Sequence, residues 1–234
     1  MRENLALDTR PKATLIAYTP DPELVVASAG RQCRSFESAL KIREEMTLDK
    51  AREFIRKLIK MGHTSVLEHA SFTFQVENIS RVCSHQLVRH RIASYSQQSL
   101  RHIRAEKLSF IIPNSLSLEQ KKEFLDIVSR ILSFYSRLVE NGVPVEDARY
   151  ILPMGVTTKI VVTMNARELL ESFFRLRLCL KAQWEIRELA RQMLEQVRRV
   201  APAIFERAGP TCVLWGYCHE NDRKCPMHPG YPSL

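Results

Sequence analysis

Glycine is scarce in this sequence of 234 residues: there are only seven, and no two lie closer than seven positions apart. Phosphate-binding loops such as the dinucleotide fingerprint and the P-loop need glycines three to five positions apart, because backbone amides must approach the phosphate closely. Neither loop can be built here. The sequence therefore predicts that any bound phosphate is held mainly by side chains.

Long apolar runs are missing as well, since no stretch approaches the roughly 20 residues of a membrane span. The N-terminal segment MRENLALDTRPKATLIAY contains Glu3 and Asp8 and has no apolar core of the kind found in secretory signals. Cys33, Cys83 and Cys179 are scattered and are interpreted as reduced thiols. These absences together predict a cytoplasmic protein.

Acidic residues are outnumbered: 35 Lys and Arg against 26 Asp and Glu give a net charge of +9 with neutral histidines. This surplus favours an anionic partner, but it does not distinguish nucleic acid, nucleotide and membrane surface. Apolar residues make up 45% of the chain and charged residues 26%, a composition typical of a globular protein and not of a disordered one.

Hydrophobic periodicity predicts both strands and helices. Strands are expected at residues 12–19, 70–78 and 157–165, and helices at 47–63, 78–91, 117–141, 144–152 and, with interruptions, 165–202. Ser117 with Gln120 has the pattern of a capping box, and Asn165 with Glu168 that of a helix N-cap. No repeat or linker divides the chain. We therefore predict one α+β domain over residues 1–234, with a mixed or antiparallel sheet.

The segment from residue 89 to 104, RHRIASYSQQSLRHIR, holds four arginines, two histidines and three serines without a carboxylate. Gln86, Arg89 and His90 continue the apolar stripe of the helix predicted at 78–91, whereas solvated charges would lie opposite that stripe. A half-buried, unpaired arginine costs several kcal/mol, so this pattern favours a site for an anion. A solvated basic face is the open alternative.

Other polar residues extend the same pattern. Ser99 and Arg101 would share one side of an extended chain, where a hydroxyl and a guanidinium form a good phosphate clamp. Arg149 flanks the apolar side of its predicted helix, although an ion pair with Asp147 is the simpler explanation. Arg175 and Arg177 interrupt the stretch ESFFRLRLCL, which is also compatible with an ordinary surface pattern.

The segment RHRIASYSQQSLR resembles the signature of the flavin-dependent thymidylate synthases, with matches at Arg89, His90, Arg91, Ser94, Ser99 and Arg101. GHTSVLEH at 62–69, ARYILP at 148–153, NARELL with LRLCLKAQWEIR, and the tail from AGPTC to KC are similar to further segments of that family, so the resemblance covers most of residues 50–226. It implies a mixed sheet with helices and a methyltransferase that makes dTMP from dUMP. Methylenetetrahydrofolate would be the carbon donor, FAD the hydride carrier and NADPH the reductant, in a homotetramer with shared active sites.

The resemblance also implies roles for individual residues. The substrate-binding positions would be Gln86, Arg89, Gln97, Gln98, Ser99, Arg101, Arg149 and Arg177. The flavin-binding positions would be His63, Ser65, Glu68, Arg89, His90, Arg91, Gln97, Asn165, Arg167 and Glu171. The catalytic candidates are Arg177, which matches an arginine that favours ionisation of uracil at N3, and Ser99, whose role as nucleophile or nucleotide contact stays open.

Electrostatic catalysis by Arg177 is chemically reasonable. C5 of uracil is a poor nucleophile, and no cysteine stands at a position suited to addition at C6, so a fixed guanidinium near N3 and O2 would have to stabilise the ring anion. The spacing from Asn165 to Arg177 is one residue longer than in the family pattern. Ser172 is therefore the open alternative to Glu171 for the flavin contact in this stretch.

Two other functions fit parts of the sequence. A nucleic-acid-binding module would explain the +9 charge and the basic helix RELARQMLEQVRRV, but that helix also contains Glu188 and Glu195, and aromatic residues total only 8%. Metal binding would involve the tail at 209–234, where seventeen residues hold Cys212, Cys218, His219, Cys225 and His228. No C-x-x-C occurs there and the spacings differ from those of zinc fingers, so the sequence predicts no metal.

Overall fold

The computed structural model describes residues 10–103 and 109–230. They form two compact units, each assembled from separate stretches of chain. The first unit is formed mainly by Val76–Arg89 and Tyr95–Val161, and the second by Ala13–Gln75, His90–Ser94 and the chain from Val162 onwards. The single domain expected over residues 1–234 stays a prediction, and residues 231–234 of the tail lie outside the described residues.

The sheet has four antiparallel strands in the order β1–β2–β4–β3 within the described residues. The strands are β1 Lys12–Tyr18, β2 Ser71–Ser80, β3 Ala93–Gln97 and β4 Thr157–Asn165. In β2, Phe72, Phe74 and Val76 are fully buried and alternate with more exposed residues, as the period of two predicts. The α+β class and the three predicted strands are confirmed. Strand β3, ASYSQ, was not predicted, because its alternation of Ala93 and Tyr95 with two serines is short and only weakly apolar.

Helices follow the strands in chain order: α1 Pro22–Gln32, α2 Ala39–Glu45, α3 Leu48–Lys60, α4 Arg81–Leu87, α5 Leu118–Glu140, α6 Val145–Ala148, α7 Arg175–Arg177, α8 Trp184–Val200, α9 Pro202–Phe205 and α10 Thr211–Leu214. There are also 3-10 turns at Ser65–His69 and Arg149–Ile151 and a π-helix at Glu168–Phe174. The helices predicted at 47–63, 117–141 and 144–152 are confirmed, whereas α1 and α2 were not predicted.

Local side-chain chemistry fixes two of the helix starts. Ser117 Oγ accepts a hydrogen bond from the backbone N–H of Gln120 at 3.2 Å, and Gln120 Oε1 accepts one from the N–H of Ser117 at 2.9 Å. This is the predicted capping box. Asn165 Oδ1 accepts from the N–H of Glu168 at 2.8 Å, which confirms the second predicted cap, at the start of the helical stretch that leads into the π-helix.

The core of the second unit is aromatic. Phe205 contacts Phe72 at a centroid distance of 5.4 Å and Phe174 at 6.0 Å, both edge to face, and Phe174 in turn packs against Phe173. All four rings are fully buried, and each contributes about 1.5–3 kcal/mol relative to an exposed position. This core supports the π-helix, which carries both Phe173 and Phe174.

The first unit has its own apolar clusters around α5. Tyr135 packs with Ala148, and Val128 packs with Phe110 and Val156. Helix α5 thereby holds α6 and the start of β4 in place. Across residues 10–103 and 109–230, none of the helices combines the length and apolar character needed to cross a lipid bilayer.

Helix α4 is shorter than predicted, and this changes which residues face the interior. The Ser80 side chain caps its start, and the helix ends at Leu87, whose carbonyl accepts a hydrogen bond from the Tyr95 hydroxyl at 2.9 Å. Arg89 therefore lies beyond the helix and is exposed, so its expected place on the buried stripe was wrong. His90 is buried, as expected, with 4% of its surface exposed.

Candidate active site

A buried hydrogen-bond network surrounds His90 in the second unit. Its Nδ1 lies 3.2 Å from Glu168 Oε1 and 3.0 Å from Ser172 Oγ, and its Nε2 accepts a hydrogen bond from Arg177 Nε at 2.9 Å. A guanidinium can only donate, so Nε2 must be unprotonated and the ring proton must be on Nδ1. His90 thus donates toward Glu168 or Ser172 on one side and orients Arg177 on the other.

The π-helix explains how Arg177 reaches His90. A π-helical turn accommodates one more residue than an α-helical turn, and such segments are frequent at functional sites. The π-helix Glu168–Phe174 lies within the segment from Asn165 to Arg177, where the sequence resemblance predicts one extra residue. Ser172 contacts His90 and Glu171 contacts Arg167, so these neighbouring residues have different partners.

A second polar group in the same unit joins three of the predicted flavin-binding residues. Arg167 Nη1 donates to Glu68 Oε1 at 2.6 Å, and Arg167 Nε donates to Glu171 Oε2 at 2.9 Å. These two hydrogen bonds raise the pKa of Arg167 above its ordinary value. The 3-10 turn Ser65–His69 carries Glu68, so residues separated by 99 positions in sequence meet in space.

The other predicted flavin-binding residues have different environments. His63 and Ser65 are exposed beside and within the 3-10 turn Ser65–His69, and Arg91 is also exposed. The side-chain oxygen of Asn165 is used for helix capping. The second unit therefore offers one buried histidine network, one Arg–Glu cluster and several exposed polar side chains.

In the first unit, Glu146 brings together two predicted nucleotide-binding arginines. Arg101 Nε donates to Glu146 Oε2 at 2.9 Å, and Arg149 Nε donates to the Glu146 carbonyl at 2.9 Å. Arg149 thus bonds to the backbone of Glu146, whereas an ion pair with Asp147 was the simpler expectation. About half of each side chain is exposed to solvent, 57% for Arg101 and 49% for Glu146, so their ion pair is weak.

Ser99 and Arg101 lie in a turn, so the extended chain expected there was wrong. The backbone N–H groups of His102 and Ile103 donate to the Ser99 carbonyl at 3.3 and 3.2 Å. Ser99 Oγ accepts from the N–H of Arg101 at 3.2 Å, an arrangement that serine side chains favour in turns. The turn still places the hydroxyl of Ser99 next to the residue that carries the guanidinium.

Arg81 is a candidate that the sequence analysis missed. Its Nη2 donates to the Gln98 carbonyl at 2.9 Å, but its Nε is buried and has no hydrogen-bond partner among the described residues. Burial and the nearby charge of Arg149 lower the pKa of Arg81. A half-buried cation next to another cation is unfavourable until an anion arrives. No sequence signal indicated it, because the predicted helix began at residue 78 and placed Arg81 inside it, whereas α4 begins at Arg81.

The glutamines of the first unit differ in role. Gln97 Nε2 donates to Ser84 Oγ at 3.1 Å and to Thr158 Oγ1 at 3.3 Å, so its side chain links α4, β3 and β4. Gln98 contributes its backbone carbonyl to Arg81. Gln86 is half-exposed on α4, and its amide nitrogen lies 3.5 Å from the Val82 carbonyl. Gln98 therefore contacts the arginine group through its backbone.

Two of these groups, one in each unit, differ clearly in their chemistry. The first has three arginines and a hydroxyl, namely Arg81, Arg101, Arg149 and Ser99, which are donors suited to a phosphate. The second has Arg177 oriented by a buried histidine, an arrangement suited to stabilising a developing negative charge. Neither group uses a glycine loop, as the scarcity of glycine predicted.

Comparison with known proteins shows the family to which the chain belongs. Residues 14–203 match the family model described as thymidylate synthase complementing protein. The chain is 50% identical over 218 residues to a flavin-dependent thymidylate synthase of Geobacter sulfurreducens, a match that covers 92% of this chain and 93% of the relative. The chain belongs to the flavin-dependent thymidylate synthase family.

Two further relatives carry the same name. The Sulfolobus acidocaldarius protein is 48% identical over 212 residues, which are 90% of this chain and 80% of the relative. The Clostridium tetani protein is 40% identical over 232 residues, with 92% of each chain covered. The family identified from RHRIASYSQQSLR, the methyltransferase class and the flavin dependence are therefore confirmed. The roles of individual residues stay predictions.

Proposed function

We propose that this flavin-dependent thymidylate synthase binds the phosphate of dUMP through Arg81, Arg149 and Arg101, and stabilises the uracil anion through Arg177. The observation that carries the proposal is the buried, unpartnered Nε of Arg81 next to the charge of Arg149. An incoming phosphate would supply the missing acceptor and the missing negative charge. Methylenetetrahydrofolate would donate the carbon unit and NADPH the reducing equivalents.

Phosphate binding would begin with an exchange of partners. Arg101 is paired with Glu146 through an exposed ion pair, which is worth at most about 1 kcal/mol. A phosphate dianion, with more charge and more acceptor oxygens than a carboxylate, competes well for this guanidinium. Arg149 would keep its bond to the Glu146 carbonyl and still contribute charge. Glu146 therefore holds the arginine group together before substrate binds.

We assign Ser99 to nucleotide binding and not to nucleophilic attack. Its Oγ accepts from the backbone of Arg101, so the hydroxyl belongs to the turn that carries a phosphate-binding residue. A serine nucleophile requires a general base within hydrogen-bonding distance. The Oγ of Ser99 is bonded to an amide, which is a donor and cannot act as that base.

Arg177 would act electrostatically. Its hydrogen bond from Nε to His90 fixes the plane of the guanidinium, and the contacts of His90 with Glu168 and Ser172 fix the imidazole. A preorganised cation near N3 and O2 of uracil stabilises the uracil anion, whose C5 is more nucleophilic than that of the neutral ring, without a covalent adduct. We therefore give His90 a positioning role and Arg177 the catalytic one.

The flavin-binding residues fit FAD by the chemistry of their donors and acceptors. Glu68, Arg167 and Glu171 offer carboxylates and a guanidinium in one cluster, and exposed Arg89 and Arg91 offer cations for the diphosphate. When bound, FAD supplies the group that carries hydride from NADPH to the carbon unit. The protein contributes binding and orientation through these side chains.

We further propose a homotetramer in the cytoplasm. Four exposed polar side chains support the homotetramer, because polar side chains at the surface can complete a site on another subunit; they are His63, Ser65, Arg89 and Arg91. All six cysteines are free thiols, which supports the cytoplasmic location, because disulfides are rare in reducing compartments. Light scattering on the purified protein measures the oligomeric state, and we expect a mass four times that of one chain.

NADPH oxidation by the FAD-loaded enzyme is the most direct test of the proposed function. We expect a flavin absorption band, slow NADPH oxidation alone and faster oxidation after dUMP is added. With methylenetetrahydrofolate present, dTMP should accumulate, as measured by chromatography. Protein that binds FAD but neither responds to dUMP nor forms dTMP would contradict the proposal.

A further inference from the structure

The C-terminal segment forms a cysteine-rich cavity that the proposed reaction does not use. Of the six cysteines in the chain, four line one small cavity in the second unit, together with two histidines: Cys179, Cys212, Cys218, Cys225, His219 and His228. The cavity measures about 10 Å³, which is enough for a single particle the size of a water molecule. Such a concentration of thiols around one small space requires a physical explanation.

Cys179 is the member that the sequence spacing did not reveal. It precedes Cys212 by 33 positions and follows Arg177 by two. Two further contacts attach the tail to the same stretch of chain: the Arg175 guanidinium stacks 4.7 Å from the Trp215 ring centroid, and Lys181 Nζ lies 2.7 Å from Asp222 Oδ2. Cys179 therefore lies between two attachment points of the tail.

The lining of the cavity contains an unsatisfied polar atom. Thr211 is 1% exposed, and its Oγ1 is buried without a hydrogen-bond partner among the described residues. Unsatisfied buried hydroxyls are uncommon and point to an unoccupied ligand or water position. This observation is independent of the cysteines and indicates the same cavity.

We propose that Cys179, Cys212, Cys218 and Cys225 bind one Zn²⁺ in a structural site. Four thiolates form a complete tetrahedral set for zinc, and soft sulfur ligands select it over magnesium or calcium. Among the described residues no three such side chains stand in coordinating positions, so binding requires the thiols to rotate toward the cavity. The bound ion would fix the tail to the chain segment that follows Arg177.

Metal content of the full-length protein, purified without chelators, is the first measurement. We expect about one zinc per chain by elemental analysis, retained through gel filtration. In the double variant Cys212→Ser/Cys225→Ser, the zinc content per chain should fall by at least about tenfold. Cys33 is exposed and lies outside the cavity, so the Cys33→Ser variant should retain the full zinc content. FAD content measured on the same samples reports whether each variant is folded.

Cobalt provides a test that needs no variant. Wild-type protein stripped of metal should bind one Co²⁺ and develop the thiolate-to-cobalt charge-transfer absorption of a tetrahedral sulfur site, which zinc should then abolish. Wild-type protein that contains no zinc and binds neither metal would overturn the proposal. Disulfides among these four cysteines in freshly purified, metal-free protein would overturn it equally.

The test of the zinc site does not depend on the test of the proposed thymidylate synthesis. Elemental analysis and cobalt absorption report the site whether or not dTMP forms. If either His219→Ala or His228→Ala lowers the zinc content, a histidine is among the ligands and the four-thiolate assignment is wrong. If both histidine variants keep full zinc, the assignment is supported.

Discussion

Replacing Arg81 by alanine tests whether the arginine group of the first unit is a phosphate site. Among the described residues, this guanidinium donates to the Gln98 carbonyl, while its Nε is buried without a hydrogen-bond partner and its pKa is lowered by burial and by Arg149. The folded protein thus carries a charge that it does not stabilise. That charge becomes favourable when a phosphate binds.

The expected magnitude follows from the hydrogen bonds that the phosphate would gain. A hydrogen bond to a charged group is worth about 1.5–3 kcal/mol, so loss of one bond from Arg81 should weaken dUMP binding by about 10- to 150-fold. Stability should respond differently. The variant loses the bond to Gln98 but also the desolvated charge, so we expect the free energy of unfolding to change by less than about 1 kcal/mol.

Calorimetry with two ligands separates phosphate binding from a general defect. The FAD-loaded variant is titrated with dUMP and with deoxyuridine, which lacks the phosphate. Arg81→Ala should weaken only dUMP. Arg130→Ala is the matched control, because Arg130 belongs to the same unit, is 80% exposed and pairs with Asp126 on its own helix. It should bind both ligands as the wild type does.

Two outcomes would refute this reasoning. Unchanged dUMP affinity in Arg81→Ala would mean that the unpartnered Nε does not mark a phosphate site. An equal loss for dUMP and deoxyuridine would mean that Arg81 acts through the structure around Gln98 and not through the phosphate. Either result would remove Arg81 from the proposed substrate-binding residues.

Three further predictions concern catalysis and stability. Arg177→Ala should retain FAD absorption but lower kcat by about 10²–10³-fold; wild-type turnover would exclude its catalytic role. Ser117→Ala removes half of the capping box and should lower stability by about 1 kcal/mol, or about 2–4 °C in Tm by calorimetry, and an unchanged Tm would contradict this. Phe205→Ala should cost about 3–5 kcal/mol in urea unfolding, whereas Phe36→Ala, at a fully exposed ring, should cost almost nothing; equal effects would disprove the aromatic core.

Much of the fold was predictable where local chemistry is decisive. The capping box of Ser117 and Gln120 and the alternation in β2 need only neighbouring residues, and both are present. Strand β3 was not predictable in the same way, because ASYSQ is short and weakly apolar, and its strand conformation depends on pairing with β4. Tertiary pairing decides such a segment, and no local pattern reports it.

The candidate site was predictable in its residue types but only partly in its geometry. The absence of glycine loops indicated arginine, serine and histidine, and the described structure groups residues of these types. Arg81 was missed because its significance lies in what surrounds it: a buried Nε and the neighbouring Arg149. Cys179 was missed for the same reason, since its cavity partners lie 33 or more positions later. Burial and long-range proximity are properties of the fold.

In the Arg89–His90–Arg91 triplet, the burial of His90 was predicted correctly although the predicted end of the helix was wrong. A helix continued to residue 91 would have placed Arg89 and His90 together on the buried side. The helix instead ends at Leu87, and the triplet alternates: Arg89 and Arg91 are exposed, while His90 is buried against Phe173 at a centroid distance of 5.1 Å. One short segment can therefore present two cations outward for an anionic group and direct an imidazole inward to orient Arg177. A lysine or arginine in place of His90 could not do this, because neither can accept the hydrogen bond that Arg177 Nε donates.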